Sequence, residues 1–179
     1  MLEAKAGETA SLGLLVEKHR RGVLHFFYRQ LHDAAIAEEL TQEVFLRVHR
    51  SRASYEPTAK FSTWLYRIAA NLVLNWRRDH DREKSYIRLD APLPSTTVRG
   101  QLADACMSAD EWLCFETRRA EVRRAVSELP GRQRTVVLLH KFEDMEGQQI
   151  AATLGCSHQA VRSLLCRAYA NLRVRLSDV

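Results

Sequence analysis

Three groups of side chains in this sequence are spaced for contact with a macromolecule. Trp64, Arg67, Asn71, Asn75 and Arg78 recur at intervals of three and four, which lines them up along one side of an α-helix. An indole stacks on bases, an amide reads a base edge and a guanidinium pairs with a phosphate. The same row also reads as a solvated helix face with one half-buried tryptophan. Near the C-terminus, Gln159, Arg162, Ser163, Cys166 and Arg167 face away from an apolar stripe of Val161, Leu165, Ala168, Leu172 and Leu176. From Ser157 to Leu176 there are four arginines and no acid, a charge pattern suited to a helix lying in the major groove. A generic helical hairpin with a basic surface is the competing reading. Third, Leu46 stands alone among Glu39, Gln42, Glu43, His49 and Arg50. It is either one exposed leucine or the apolar centre of a polar-rimmed partner patch.

The elements that must carry these groups follow from the apolar periodicity. Ile36, Ala37, Leu40, Val44 and Val48 form one stripe over residues 36–50, with Phe45 at its margin and the Leu46 face opposite. Leu65, Ile68, Ala69, Leu72 and Trp76 form the stripe of a helix over residues 62–78. Between them, Tyr55 to Phe61 is a stiff loop containing Pro57. An earlier helix is predicted over residues 9–31, with Leu12, Leu15, Val16, Val23, Leu24, Phe27 and Leu31 inward.

After Arg77 the chain becomes highly charged, and Pro92 and Pro94 then break any helix. This places a first domain over 9–88, a linker over 89–117 and a second domain over 118–179. Trp112, Leu113 and Phe115 suggest a short docking helix near the end of the linker. The second domain reads as a helix over 119–128, another that Pro130 begins in its first turn, a short helix over 146–154, a turn at Gly155, and a long helix from an N-cap at Ser157 to about Leu176. A short helix, a glycine turn and a longer basic helix are the pattern of a helix-turn-helix.

Composition narrows the classes of function. The 179 residues suit one ordinary domain or two small ones, and 46% apolar content supports packed cores. Net charge is +5, distributed as 15 basic against 12 acidic residues over 1–90, one against four over 91–117, and 11 against six over 118–179. Two basic ends around an acidic middle fit two nucleic-acid-facing modules and a connector that does not follow phosphates. Cys106, Cys114, Cys156 and Cys166 form no C-x-x-C and have no histidine at zinc-finger spacing, so free thiols and no metal are expected. A redox pairing of Cys106 with Cys114 is the other use open to them. No catalytic residues, phosphate loop or cofactor motif are visible, so an enzyme is not expected. No export signal or membrane-length apolar run is present, so a cytoplasmic protein without membrane insertion is expected.

Two linked motifs then carry a resemblance. ELTQEVFLRV followed at loop distance by KFSTWLYRIAANL resembles region 2 of bacterial extracytoplasmic function (ECF) sigma factors. The later run SELPGRQRTVVLL with its helix-turn-helix resembles sigma region 4. The resemblance implies an all-α protein of two small helical domains, a region 2 bundle and a region 4 helix-turn-helix, joined by a flexible linker. It implies a factor that binds core RNA polymerase through the β′ clamp and β flap and directs initiation at −10 and −35 promoter elements, without cofactor. Carried onto this sequence, Glu39, Gln42, Glu43, Leu46, His49 and Arg50 bind core polymerase. Tyr55, Lys60, Phe61, Ser62, Trp64, Arg67, Asn71, Asn75, Arg77 and Arg78 serve the −10 DNA, including capture of a flipped base. Ser157, His158, Gln159, Arg162, Ser163 and Arg167 read the −35 DNA.

Only a single stacking tryptophan, Trp64, stands where housekeeping sigma factors carry paired melting aromatics, which implies demanding melting and narrow promoter choice. Leu164 and Tyr169 stand where the family favours arginine, which implies weakened phosphate contact. The resemblance also implies an anti-sigma factor as a partner. The alternative is a stand-alone helix-turn-helix regulator, which has no need of the Leu46 face.

Overall fold

The computed structural model describes residue 1 and residues 9–57, 59–86 and 109–177, with side chains over 10–57, 59–80 and 117–177. Every regular element among them is helical: α1 (Thr9–Leu31), α2 (Ala34–Arg50), a single 3₁₀ turn (Arg52–Ser54), α3 (Phe61–Tyr86), α4 (Ala109–Ser127), α5 (Gly131–Phe142), α6 (Gly147–Leu154) and α7 (His158–Arg175). The periodicity located each helix. α3 extends beyond Arg78 to Tyr86, and α4 is one helix across the stretch where a short docking helix and a separate 119–128 helix were expected. The linker body, Cys106 and the side chains of Trp112, Leu113, Cys114 and Phe115 lie outside the described residues.

Local chemistry sets the junctions. His32 takes a left-handed conformation, φ 57°, and its N–H returns to the Tyr28 carbonyl, which ends α1. Asp33 then caps α2, its carboxylate accepting from the Ile36 N–H at 3.0 Å. Pro130 is the N-cap of α5, one position earlier than expected, because its extended backbone presents the carbonyl to the Arg134 N–H at 2.9 Å. Gly155 closes α6 at φ 60°, a region that a Cβ disfavours. The Ser157 hydroxyl starts α7 by accepting from the Ala160 N–H at 3.1 Å.

The N-terminal unit packs α2 against α1 and α3; the C-terminal unit packs α7 against α5 and α6. These units do not stand apart. α3 lies on α6, and α1 and α3 both meet α5. Val23, Phe26, Phe27, Val44, Val48, Leu65 and Val73 of the first unit belong to one continuous buried cluster with Val136, Leu139, Ile150 and Val161 of the second. A smaller cluster of Leu129, Val137 and Ala168 belongs to the C-terminal unit alone.

Polar contacts cross the same seam. Gln30 is fully buried and donates to the Thr135 hydroxyl, the Arg29 guanidinium lies 4.0 Å over the Phe142 ring, and the Tyr66 hydroxyl donates to the Glu143 carboxylate.

Two stability outcomes follow. Gly155→Ala places a Cβ at positive φ and lowers unfolding free energy by about 1–2 kcal/mol, read from urea unfolding. Glu143 sits above its ordinary carboxylate value, mainly through burial, with Asp144 adding to the rise and Tyr66 and Arg29 opposing it. A carboxyl raised by folding stabilises the fold while protonated, and that contribution is lost as pH rises through the raised pKa. Glu143→Gln therefore gains on the wild type in thermal unfolding as pH increases from about 5 to about 8.

Candidate nucleic-acid interface

α2 presents its polar side to solvent because Ala37, Leu40, Thr41, Val44 and Val48 occupy the core side. Glu39, Gln42, His49 and Arg50 are exposed and Glu43 is half-buried. Leu46 is 50% exposed at their centre, so its side chain is not spent on the core. Glu43 pairs with Arg47 one turn later at 2.6 Å. Such an exposed pair adds little stability but holds both side chains in register along the face. The His49 ring contacts the Arg52 guanidinium at the 3₁₀ turn.

The loop and the start of α3 gather the aromatic residues. Tyr55 meets Trp64 edge-on at 5.0 Å and Phe61 at 6.2 Å, while Phe61 and Trp64 are tilted at 5.9 Å. Tyr55 is only 5% exposed, so it supports the other two rings and presents little surface itself. Phe61, Ser62 and Trp64 are half-buried and Lys60 is exposed. The His19 ring of α1 packs against Phe61 at 5.3 Å, and burial, with Lys18 nearby, holds that imidazole below its ordinary pKa. A neutral ring therefore backs the aromatic cluster.

Arg67, Asn71, Asn75 and Arg78 all emerge on the solvent side of α3. Arg77 turns the other way, to the Gln30 carbonyl at the seam, because the helix rotates it about 100° from Arg78. The family resemblance placed Arg77 among the −10 DNA residues, outside the row of Arg67 to Arg78; in the structure it serves the contact between units.

Between α2 and α3 lies an open groove of about 560 Å³ lined by Arg47, Arg50, Ser51, Ser54, Ile68 and Asn71. Two guanidiniums, two hydroxyls, an amide and an apolar wall match a nucleotide better than an apolar ligand. Arg47, Ser51 and Ser54 were not singled out from the sequence, and Ile68 was read only as part of the core stripe. The spacing of Arg47 and Arg50 on one helix side was the available signal, but pairing them with Ile68 and Asn71 requires the helix crossing.

In the C-terminal unit, Ser157, His158, Gln159, Arg162 and Arg167 are exposed and Ser163 is half-buried. α7 is anchored on its other side by fully buried Val161 and Ala168, and by Asn171, whose amide donates to Gln133 of α5 at 2.9 Å. The His158 ring closes over Gly147, where a Cβ would come within 2.7 Å of Nε2. Close approach at that glycine sets the ring at the start of the basic helix. Leu164 is half-buried and packs on the shared core, so it extends the apolar stripe instead of leaving a gap in a DNA face. Tyr169 is 39% exposed and remains on the surface. Cys156 and Cys166 are free thiols, and no group of three or more His, Cys, Asp or Glu able to hold a metal occurs among the described residues. No helix among them is long and apolar enough to cross a membrane.

Comparison with known proteins places these surfaces in a family. The sigma-70 region 2 family matches residues 15–83 and the sigma-70 region 4 family residues 119–172. The chain is 28% identical to the ECF RNA polymerase sigma factor SigW of Bacillus subtilis, over 99% of this chain and 95% of that one. It is 32% identical to the RNA polymerase sigma factor CarQ of Myxococcus xanthus, over 92% of this chain and 88% of that one. Its fold is similar to that of the sigma factor RpoE of Bartonella quintana, solved with the anti-sigma factor NepR, at a TM-score of 0.72 and 18% identity, covering 93% of this chain and 97% of that one. The chain therefore belongs to the sigma-70 family, and within it to the extracytoplasmic function sigma factors.

Proposed function

We propose that the exposed faces divide the work of promoter-specific initiation among them. Glu39, Gln42, Glu43, Leu46, His49 and Arg50 form the polymerase-binding face, a polar rim around one apolar anchor. Lys60, Phe61, Ser62, Trp64, Arg67, Asn71, Asn75 and Arg78 receive the −10 strand, with Tyr55 bracing the rings from below. The rings and amides offset the few kcal/mol that flipping a base requires. Ser157, His158, Gln159, Arg162, Ser163 and Arg167 enter the major groove at the −35 element. The domains that do this span 9–88 and 118–179, with 89–117 between them. The observation that carries this reading is that Leu46 with Glu39, Gln42, His49 and Arg50 around it, and the row from Arg67 to Arg78, remain exposed although their helices bury their other sides in a common core.

The protein acts in the cytoplasm as a specificity subunit, with no catalytic chemistry of its own. Its partners are core RNA polymerase and promoter DNA. An anti-sigma factor is proposed as a third partner, on the support of the similarly folded sigma factor that was solved with one.

Fluorescence anisotropy with purified core polymerase tests the polymerase face. Gln42→Ala combined with Glu43→Arg reduces binding at least about 100-fold, the loss of about 3 kcal/mol expected for hot-spot side chains. Unchanged binding removes the assignment. Retained DNA binding in a chain that never binds core points to a stand-alone regulator. On the −35 side, Tyr169→Arg adds one phosphate contact, so a log–log plot of duplex affinity against salt steepens by about one unit. A slope equal to the wild type's places Tyr169 away from the DNA backbone.

A further inference from the structure

α6 begins with a glycine that its backbone does not require. Gly147 is the first helical residue of α6, and among the described glycines only Gly155 has a positive φ. In ordinary helical backbone alanine is the better helix former. The use of the glycine lies across the turn. A Cβ on Gly147 would come within 2.7 Å of Nε2 and 2.9 Å of Cδ2 of His158, the first residue of α7. Carbon and ring atoms do not pack that closely, so a larger residue at 147 displaces either the ring or a helix start.

Both helix starts are held. Met145 is buried ahead of α6, its N–H donates to the Leu139 carbonyl at 3.2 Å, and its own carbonyl meets His140 Nδ1 at 3.1 Å. The Gln149 side-chain oxygen accepts from the Glu146 N–H at 2.9 Å, and Ile150 is fully buried one turn on. On the other side, the Ser157 hydroxyl accepts from the Ala160 N–H at 3.1 Å and Val161 is fully buried. The exposed imidazole of His158 is the part that yields, because a side-chain rotation costs less than repacking two anchored helices.

The contact also orients the ring. Its Nε2–Cδ2 edge faces Gly147, Cε1 lies 4.0 Å from the Cβ position, and Nδ1 is not among the three nearest atoms. Nδ1 is therefore the ring nitrogen turned away from α6. One nitrogen at a fixed place donates to, or accepts from, one group on a base edge. A side chain already held in one orientation also gives up less freedom on binding.

Resting on the −35 reading above, we propose that Gly147 is a positioning residue for sequence recognition. It touches no base itself. It lets His158 lie against α6, so that Nδ1 meets the edge of one base pair. Base preference at that pair is then set from α6 as well as from α7.

Binding and sequencing from a pool of duplexes with a randomised core measures the base preference of the full-length chain at every position. The wild type selects a motif, and His158→Ala flattens it at a single position by about threefold to tenfold, the weight of one hydrogen bond. Gly147→Ala changes the preference at that same position and keeps the others, with wild-type helix content by circular dichroism. The double variant gives the His158→Ala preferences, because no ring remains for the new methyl to displace. A merely structural defect in α6 weakens every position alike. Gly147→Ala preferences equal to the wild type's, or altered where His158→Ala changes nothing, overturn the proposal. So does a double variant that differs from His158→Ala, a comparison that holds even where Gly147→Ala alone fails to fold. A wild type that selects no motif overturns the −35 reading itself, whereas a motif insensitive to both substitutions overturns only the role of Gly147.

Discussion

A shared hydrophobic core is the constraint on which the rest of this structure depends. Neither unit is large. The N-terminal unit has three helices, and its α3, which also meets α5 and α6, buries Tyr66, Ala70 and Val73 beside its first apolar stripe. Small helical units gain stability steeply with each apolar face they cover. Covering that face with the C-terminal unit brings Gln30, Arg77 and Arg134 inward, because these side chains occupy the same helix sides. The polar seam is thus a by-product of apolar burial, and two of its buried polar atoms, Gln30 Oε1 and Arg134 Nε, are left without a protein partner.

The candidate faces stand out in the sequence because they are the residue types that break an apolar pattern. Leu46 interrupts a polar face, Arg67 to Arg78 repeat at helical spacing, and the basic run after Ser157 contains no acid. Such departures from pattern survive in one dimension. The Gly155 turn and Ser157 cap were equally visible, since positive φ and an N-cap each favour a few residue types.

The seam was not legible, for a related reason. Periodicity assigned α3 one stripe through Leu65, Ala69 and Leu72, whereas the helix is buried on a second side through Tyr66, Ala70 and Val73. That second stripe is present at spacings of four and three, but it contains a tyrosine and an alanine and leads into Arg77. Gln30 is polar and was not assigned to any apolar stripe, yet it is 0% exposed. Arg77 was grouped with a charged run that usually marks solvent. Burial of polar residues depends on partners a hundred residues away, such as Thr135, and no local pattern encodes that distance.

The groove between α2 and α3 has a consequence for how such proteins diversify. Arg50, from the helix assigned to polymerase, and Asn71, from the helix assigned to DNA, form walls of one cleft. A substitution in either helix reshapes a surface that the other also uses. On the proposed assignment, α2 and α3 therefore share one recognition surface, and a change in either wall alters the cleft that both line.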